Sequence, residues 1–214
     1  VAVDQAVQGV TAMQARVEAL RQLQDKLAQN SDIEDWIAAR GLDGATRLWQ
    51  GISIDAGYED ALEAVLRERL NAVMLNGLDA CGNWGDVPPG KLVVAEVGGG
   101  VNAEGSAPMP ARAMPLARFV TCRDQRLAAA LADWLHGAFV VEDLATGLTL
   151  RAQLASGAML VSRDGYLLTR HSLTFHAPDS ELHGVLSRQR EIEALDADVA
   201  GKKDAIDVLR AAAD

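Results

Sequence analysis

Val3-Asp-Gln-Ala6-Val-Gln-Gly-Val10-Thr-Ala-Met13-Gln-Ala-Arg-Val17-Glu-Ala-Leu20-Arg-Gln-Leu-Gln24-Asp-Lys-Leu27 is the stretch that decides the fold. With Val3 at a heptad a position, the a/d series Val3, Ala6, Val10, Met13, Val17, Leu20, Gln24 and Leu27 is apolar at seven of eight places. Gln5, Gln14, Arg16, Glu18, Arg21, Asp25 and Lys26 fill positions between. So narrow a seam with wet flanks suits a two-stranded coiled coil better than a helix lying on a broad core. The other end repeats the pattern: Ile192, Leu195, Val199, Lys202, Ile206, Leu209 and Ala213 fall at a/d, with Lys202 the polar exception.

A helix of about 28 residues reaches roughly 42 Å. Ordering it costs ~1–2 kcal/mol per residue, which a half-exposed Val/Leu seam only about offsets. Neither terminal helix is expected to stand alone. The economical solution folds them back as an antiparallel intramolecular pair at one side of the block between them. The predicted organisation is an N-terminal coiled-coil strand over 1–30, a globule over 31–183 and a returning strand over 184–214. A small helical bundle packed on the globule is the alternative. A chain that opens without Met and stops at Asp214, both in mid-heptad, is expected to be a segment of a longer one.

Inside the globule, Gly and Pro concentrate from Gly77 to Pro115 and mark a connector with one embedded strand, Leu92 to Val97. Before it, Trp49–Ile54 is predicted as strand, Tyr58–Leu70 as helix and Ala72–Leu75 as strand. After it, Arg118–Thr121, Gln125–Leu135 and Ala138–Val141 run strand, helix, strand again. A helix near Thr146–Leu154, a strand at Met159–Ser162, an Asp164-Gly165 turn and a strand at Tyr166–Thr169 complete the series. The predicted class is α/β (α+β): two tandem pseudo-repeated mixed-sheet lobes, one over about 31–100 and one over about 116–183, with a connector at about 77–115. Asp55, Glu59, Asp60 and Asp124 sit at predicted helix starts, where the helix dipole favours carboxylates.

The chain of 214 residues is 49% hydrophobic and 23% charged, enough apolar material for one ordinary core or two small ones. No window offers the ~18 apolar residues of a membrane span, and Val1 opens no export leader. Cys81 and Cys122 make no disulfide framework and are compatible with a reducing compartment, so the expected location is cytoplasmic. A net charge of -10 excludes a surface that binds nucleic acid as a whole. Any such contact is local.

Gly85-Asp-Val-Pro-Pro-Gly90-Lys91-Leu92 matches seven positions of a phosphate-binding loop. It fails at Leu92, where a Ser/Thr hydroxyl is needed, and Pro88 and Pro89 remove two amide donors. Gly98-Gly-Gly100 reads as flexible connector rather than anion nest. His136, His171, His176 and His183 match no zinc spacing, and no nucleophile elbow or Cys-His pair is present. No catalytic, cofactor or metal residue is assigned, and the segment is read as non-enzymatic. Arg163, Arg170, His171 and His176 lie close together in sequence with only Asp164 among them as an acid, and Arg188 and Arg190 open the returning strand. Arg163, Arg170, His171, Arg188 and Arg190 are the candidate DNA contact, touching backbone rather than bases.

Heptads, a two-lobed globule of about 150 residues and heptads again resemble, over the whole chain, the hinge of bacterial SMC (structural maintenance of chromosomes) proteins. The most specific pieces are the Gly57-Tyr58-Glu59 helix start within Ser53–Val73 and the strand and turn Leu160-Val-Ser-Arg-Asp-Gly165. Leu186–Leu195 is similar to the start of the family's returning arm, and Gly41 and Gly44 fall where the family places glycines ahead of the first lobe. With Gly57 and Gly165, these are the structural glycines. One departure stands out: Arg170–Ser180 lacks the glycines that the family carries after the second-lobe turn, so the contact there must be made by side chains.

The resemblance implies a mechanical role. Two hinges pair as a homodimer, lobe one of each on lobe two of the other, and join long arms whose distant ends carry ATPase heads. The assembly encircles or tethers DNA in condensation and segregation and is nucleoid-associated. The adhesive expected here is Leu173, Thr174 and Phe175 against a first-lobe edge including Val93 and Val94, with weak, non-specific DNA binding at most and no membrane partner. The alternatives are a two-lobed nucleotide-binding or enzyme domain with helical ends, and a coiled-coil adaptor that does not self-associate.

Overall fold

The structure, a computed structural model, describes residues 2–28, 31–98, 108–175 and 184–211. Val1, Gly99, Gly100, His176, Pro178, Asp179, Ser180, His183 and Ala213 lie outside them, as do the side chains of Val3, Leu27 and Leu209. In chain order the elements are α1 (Ala2–Ala28), α2 (Ser31–Ala38), β1 (Ile52–Ile54), α3 (Glu59–Leu66), β2 (Val73–Leu75), β3 (Val94–Glu96), β4 (Met114–Pro115) and β5 (Val120–Cys122). Then follow α4 (Ala128–Trp134), β6 (Ala138–Val141), α5 (Leu144–Leu150), β7 (Met159–Ser162), β8 (Leu167–Leu168), β9 (Leu173–Thr174) and α6 (Val185–Ala211). The chain divides into two compact units, 1–28 with 187–214 and 29–186.

In the first unit α1 and α6, each of 27 residues, run in opposite directions. Gln24 meets Gln189 at 3.5 Å, and farther along α1 the Lys202 ammonium reaches Met13 Sδ at 3.7 Å. The seven-residue rhythm is visible in burial. Val10, Val17 and Gln24 on α1 and Ile192, Val199 and Ile206 on α6 are buried, whereas Ala6, Met13, Leu20 and Leu195 are half-buried. Val10, Val199 and Ile206 form the centre of one apolar cluster. Arg16–Glu191 at 2.5 Å and Arg21–Asp196 at 2.6 Å link the exposed flanks. Gln24 is the misfit: its Oε1 is buried without a hydrogen-bond partner among the described residues. Gln24→Leu removes that desolvation cost and is expected to raise stability by about 1 kcal/mol in thermal unfolding. An unchanged melting point counts against this reading.

The second unit is mixed α/β. Its main sheet has five strands in the order β4-β6-β7-β8-β9, with β6 and β7 parallel and the other pairs antiparallel. β2 and β3 pair in parallel, and β1 and β5 antiparallel. β1-α3-β2 and β5-α4-β6 each run strand, helix, strand, but their strands enter different sheets. β1 and β5, expected in separate lobes, pair with each other.

The helices are shorter than the periodicity predicts, and their ends are 3₁₀ turns. Helix α3 stops at Leu66 because Arg67 turns to φ 51° while its amide donates to the Glu63 carbonyl; Arg67–Asn71 continues as a 3₁₀ turn. Trp49–Gly51, expected as strand, is 3₁₀ turn as well, capped by the Gln50 side chain on the Arg47 amide at 2.8 Å. Likewise Arg118 and Phe119 lie in a 3₁₀ turn and the strand there starts at Val120.

The largest core joins both halves of this unit. Leu62, Leu66 and Leu70 pack with Leu116, Leu127, Val140 and Val161. A second core under α5 gathers Phe139, Val141, Leu154, Leu160 and Leu168, and a third holds Trp36, Ile37, Val73 and Leu75. Glu63 is a buried carboxylate on α3. It accepts hydrogen bonds from the amides of Gly184 at 3.0 Å and Leu186 at 3.2 Å, satisfying N–H groups that the first turn of α6 leaves without helical partners. Glu63→Ala is expected to cost about 1–3 kcal/mol in urea unfolding, since it strands two amides away from water. A loss below a few tenths would show that water replaces the carboxylate.

Candidate functional site

Strand β9 ends the five-stranded sheet, so one side of it has no neighbouring strand among the described residues. The Thr169 amide donates to the Ser172 carbonyl at 2.9 Å, closing a tight turn over Arg170 and His171. Antiparallel alternation then fixes the register: the amide and carbonyl of Thr174, opposite Leu167, face β8, while those of Leu173 face outward. Leu173 packs half-buried on the second core. Phe175 follows at 64% exposure, its ring edge-on to Tyr166 at 5.4 Å. An unpaired backbone edge beside an exposed aromatic ring is adhesive in kind. The opposite edge, β4, carries Pro115, which has no N–H to offer.

Val93 and Val94, expected at the first-lobe edge, lie just before and at the start of β3. Val93 packs on the largest core and Val94 on the third, both half-buried within their own chain. What β3 presents is backbone. Val73 donates to the Val93 carbonyl at 2.9 Å and Val97 to that of Leu75 at 2.8 Å, so the amides of Val94 and Glu96 point away from β2.

The candidate DNA contacts are placed in two groups. Arg163, exposed beside the β7–β8 turn, donates to Tyr58 Oη at 3.0 Å, and Tyr58 stacks on Phe119 with ring centres 4.0 Å apart. Its guanidinium therefore ties the two halves of the unit together. Arg170 donates to the Leu154 carbonyl, and Arg151 donates to the Arg170 carbonyl at 2.5 Å. His171 is exposed at the turn. Arg188 and Arg190 belong to α6, in the other unit.

Gly57 at φ 82° and Gly165 at φ 78° hold the left-handed turns that start α3 and close the β7–β8 hairpin. Gly41, at φ 68°, follows α2; Gly44 lines a cleft of about 170 Å³ with Thr46, Asn76, Asp124 and Arg126. That volume is small beside the roughly 300–1,000 Å³ of ordinary ligand sites. The Arg126 guanidinium, bonded to Asp124 at 2.6 Å, holds that carboxyl below its usual range. Burial, then the Asp124 charge, pushes the Cys122 thiol up, away from the thiolate form that reacts. No cluster of three or more His, Cys, Asp or Glu suited to a metal occurs among the described residues. Nor is any described helix long and apolar enough to cross a membrane.

The segment with the spacing of a phosphate loop has another role. Asp86 accepts the Trp36 indole N–H at 3.2 Å and pairs with Arg40, which lies 3.5 Å from the centre of the Trp36 ring. Trp84 meets Trp36 edge-on at 5.1 Å. The loop is thus pinned over the third core, and the strand β3 follows where a phosphate loop needs a helix.

Comparison with known proteins bears on the family and the fold. The family model described as SMC proteins Flexible Hinge Domain matches residues 43–151. A chromosome partition protein Smc of Bordetella petrii is 38% identical over 99% of this chain, and one of Burkholderia pseudomallei is 37% identical over 94%. The chain spans only 18% and 17% of their lengths. Among solved structures, an asymmetric dimer of the Geobacillus stearothermophilus SMC hinge domain is similar with TM-score 0.75 at 22% identity, covering 98% of this chain and 90% of that one. The Pyrococcus furiosus SMC protein hinge domain is similar with TM-score 0.51 at 17% identity, covering 82% and 94%. With the family match covering half of its length, the chain belongs to the SMC flexible hinge family.

Proposed function

We propose that this segment is the dimerisation hinge of a bacterial condensin-type SMC protein. It joins two long coiled-coil arms so that the complex encircles or tethers DNA in chromosome condensation and segregation. The observation that carries the reading is the open β9 edge, with outward Leu173 backbone and exposed Phe175, on a sheet whose other edge is closed by Pro115. Two copies related by a two-fold axis would each dock β9 on the partner's β3, giving two equal contacts and a closed pair. One similar structure was solved as an asymmetric hinge dimer, which supports the pairing itself and not the equality of the two contacts. The helices α1 and α6 are the roots of the arms, at boundaries near residues 30 and 184, and β1-α3-β2 and β5-α4-β6 are two related strand-helix-strand halves around a shared core.

The function is mechanical and needs no reacting group in this segment; ATP hydrolysis belongs to head segments elsewhere in the parent chain. DNA binding by this piece is weak and non-specific, since Arg163 and Arg170 are already engaged within the fold. The parent protein works in the cytoplasm, associated with the nucleoid. Sedimentation across a concentration series tests the reading: a mass rising to twice 22.7 kDa is expected. A monomer at every concentration overturns it in favour of an adaptor that merely displays a globular tip.

A further inference from the structure

The two edges proposed as mates carry opposite charge, and the inference that follows rests on the dimer reading. Residues 31–98 hold twelve Asp and Glu against five Lys and Arg, whereas residues 108–175 hold five against seven. The contrast is sharpest at the edges themselves. Next to β9, Arg170 and His171 form the exposed tip of the β8–β9 turn, and exposed Arg151 is bonded to that tip at 2.5 Å. Asp164 is the one acid between residues 151 and 175. On β3, Glu96 is exposed within the strand. Lys91, the basic group before it, is already paired with Glu68 at 3.5 Å.

The geometry points to electrostatic selection of the pairing: the β9 edge of one copy, marked by Arg151, Arg170 and His171, fits the β3 edge of a second copy marked by Glu96. A β9 edge offered antiparallel to another β9 edge sets each basic tip beside the Phe175 end of the other copy, where it meets no acid, so that pairing gains nothing from charge. Backbone hydrogen bonding alone does not make this choice, because any open edge pairs with any other. Charges at the rim act over about 10 Å at 0.1 M salt, so they govern encounter and partner choice more than final tightness. The symmetric β9–β9 competitor lacks this attraction, and the difference between the two pairings is the selectivity.

Glu96→Lys on the whole chain tests this without touching the core, and a thermal melt equal to that of the parent confirms its fold. Dimer dissociation constants are measured by sedimentation at about 50 mM and about 1 M salt, either side of effective screening. The expected result is dimerisation about tenfold weaker than wild type at low salt, converging with it at high salt. Adding His171→Glu in the same chain, which puts a carboxylate at the tip, restores most of the loss. A Glu96→Lys chain that dimerises like wild type at both salts overturns the selection while leaving the dimer in place. A wild-type chain that never dimerises overturns the dimer reading and this inference with it.

Discussion

Leu173→Pro leaves a folded monomer. Proline lacks the N–H and cannot donate to a ladder, so in the interior of a sheet it removes a hydrogen bond. At Leu173 the amide points outward, opposite Leu168 in a non-bonded pair, and the internal bonds of the hairpin run through Thr174 and Ser172. The substitution therefore spares the internal bonds of the five-stranded sheet and closes the β9 edge to a partner, as Pro115 does on β4. Blocking the central strand of an interface is expected to weaken self-association by at least about 100-fold, the effect of losing a hot spot. Phe175→Asp reaches the same end by another route. It puts a charge where a ring with 64% exposure now waits to be covered, and it breaks only the edge-on contact with Tyr166. Both variants should sediment as monomers with melting curves close to that of the wild-type monomer. A dimer that survives both changes removes β9 from the interface.

Gly51→Ala, the smallest change available, is expected to cost about 1–3 kcal/mol because it overfills the seam between the two halves of the globular unit. A Cβ on Gly51 would stand 2.3 Å from Leu127 Cδ1. Leu127 is fully buried, so its tip can give way only by displacing packed neighbours. The Gly51 carbonyl also accepts the Arg123 amide at 2.8 Å, next to the β1–β5 pairing, so the backbone cannot shift away without breaking the strand pair. Leu127→Ala alone leaves a cavity and is expected to cost about 2–5 kcal/mol. The double variant should cost little more than Leu127→Ala alone, since the new methyl fills part of the vacated space. Chemical denaturation of the four chains gives the coupling energy directly. If the two losses simply add, Leu127 is not what holds position 51 to glycine.

Local patterns read well in this chain. The rhythm of Val10, Val17 and Gln24 appears in the structure as buried positions seven residues apart, because helical periodicity needs no knowledge of the partner. Ala138–Val141 and Met159–Ser162 are strands to the residue, and Asp164-Gly165 turns between β7 and β8 as its composition predicts. Helix α2 is not among the elements the periodicity predicts, although its signal is present. Ser31-Asp32 reads as a break after the heptads, yet the same residues, with Glu34, also begin a helix whose Trp36 and Ile37 are buried. At Leu66 the helical pattern continues to Leu70, but Arg67 turns the chain, and nothing in the apolar spacing announces it.

Residue order alone settled the apolar rhythm of the two ends, the short strands with their turns, and the mixed α/β class, because each depends on neighbours a few positions away. The tertiary structure decided which strands meet: that β1 joins β5 across the two halves, and that β9 has no neighbour on one side among the described residues while β4 ends in proline. It also turned Val93 and Val94 inward and gave Arg163 to Tyr58. Strand pairing and side-chain engagement are contacts between distant residues, chosen by what the whole core can bury, and no short stretch of sequence carries that information.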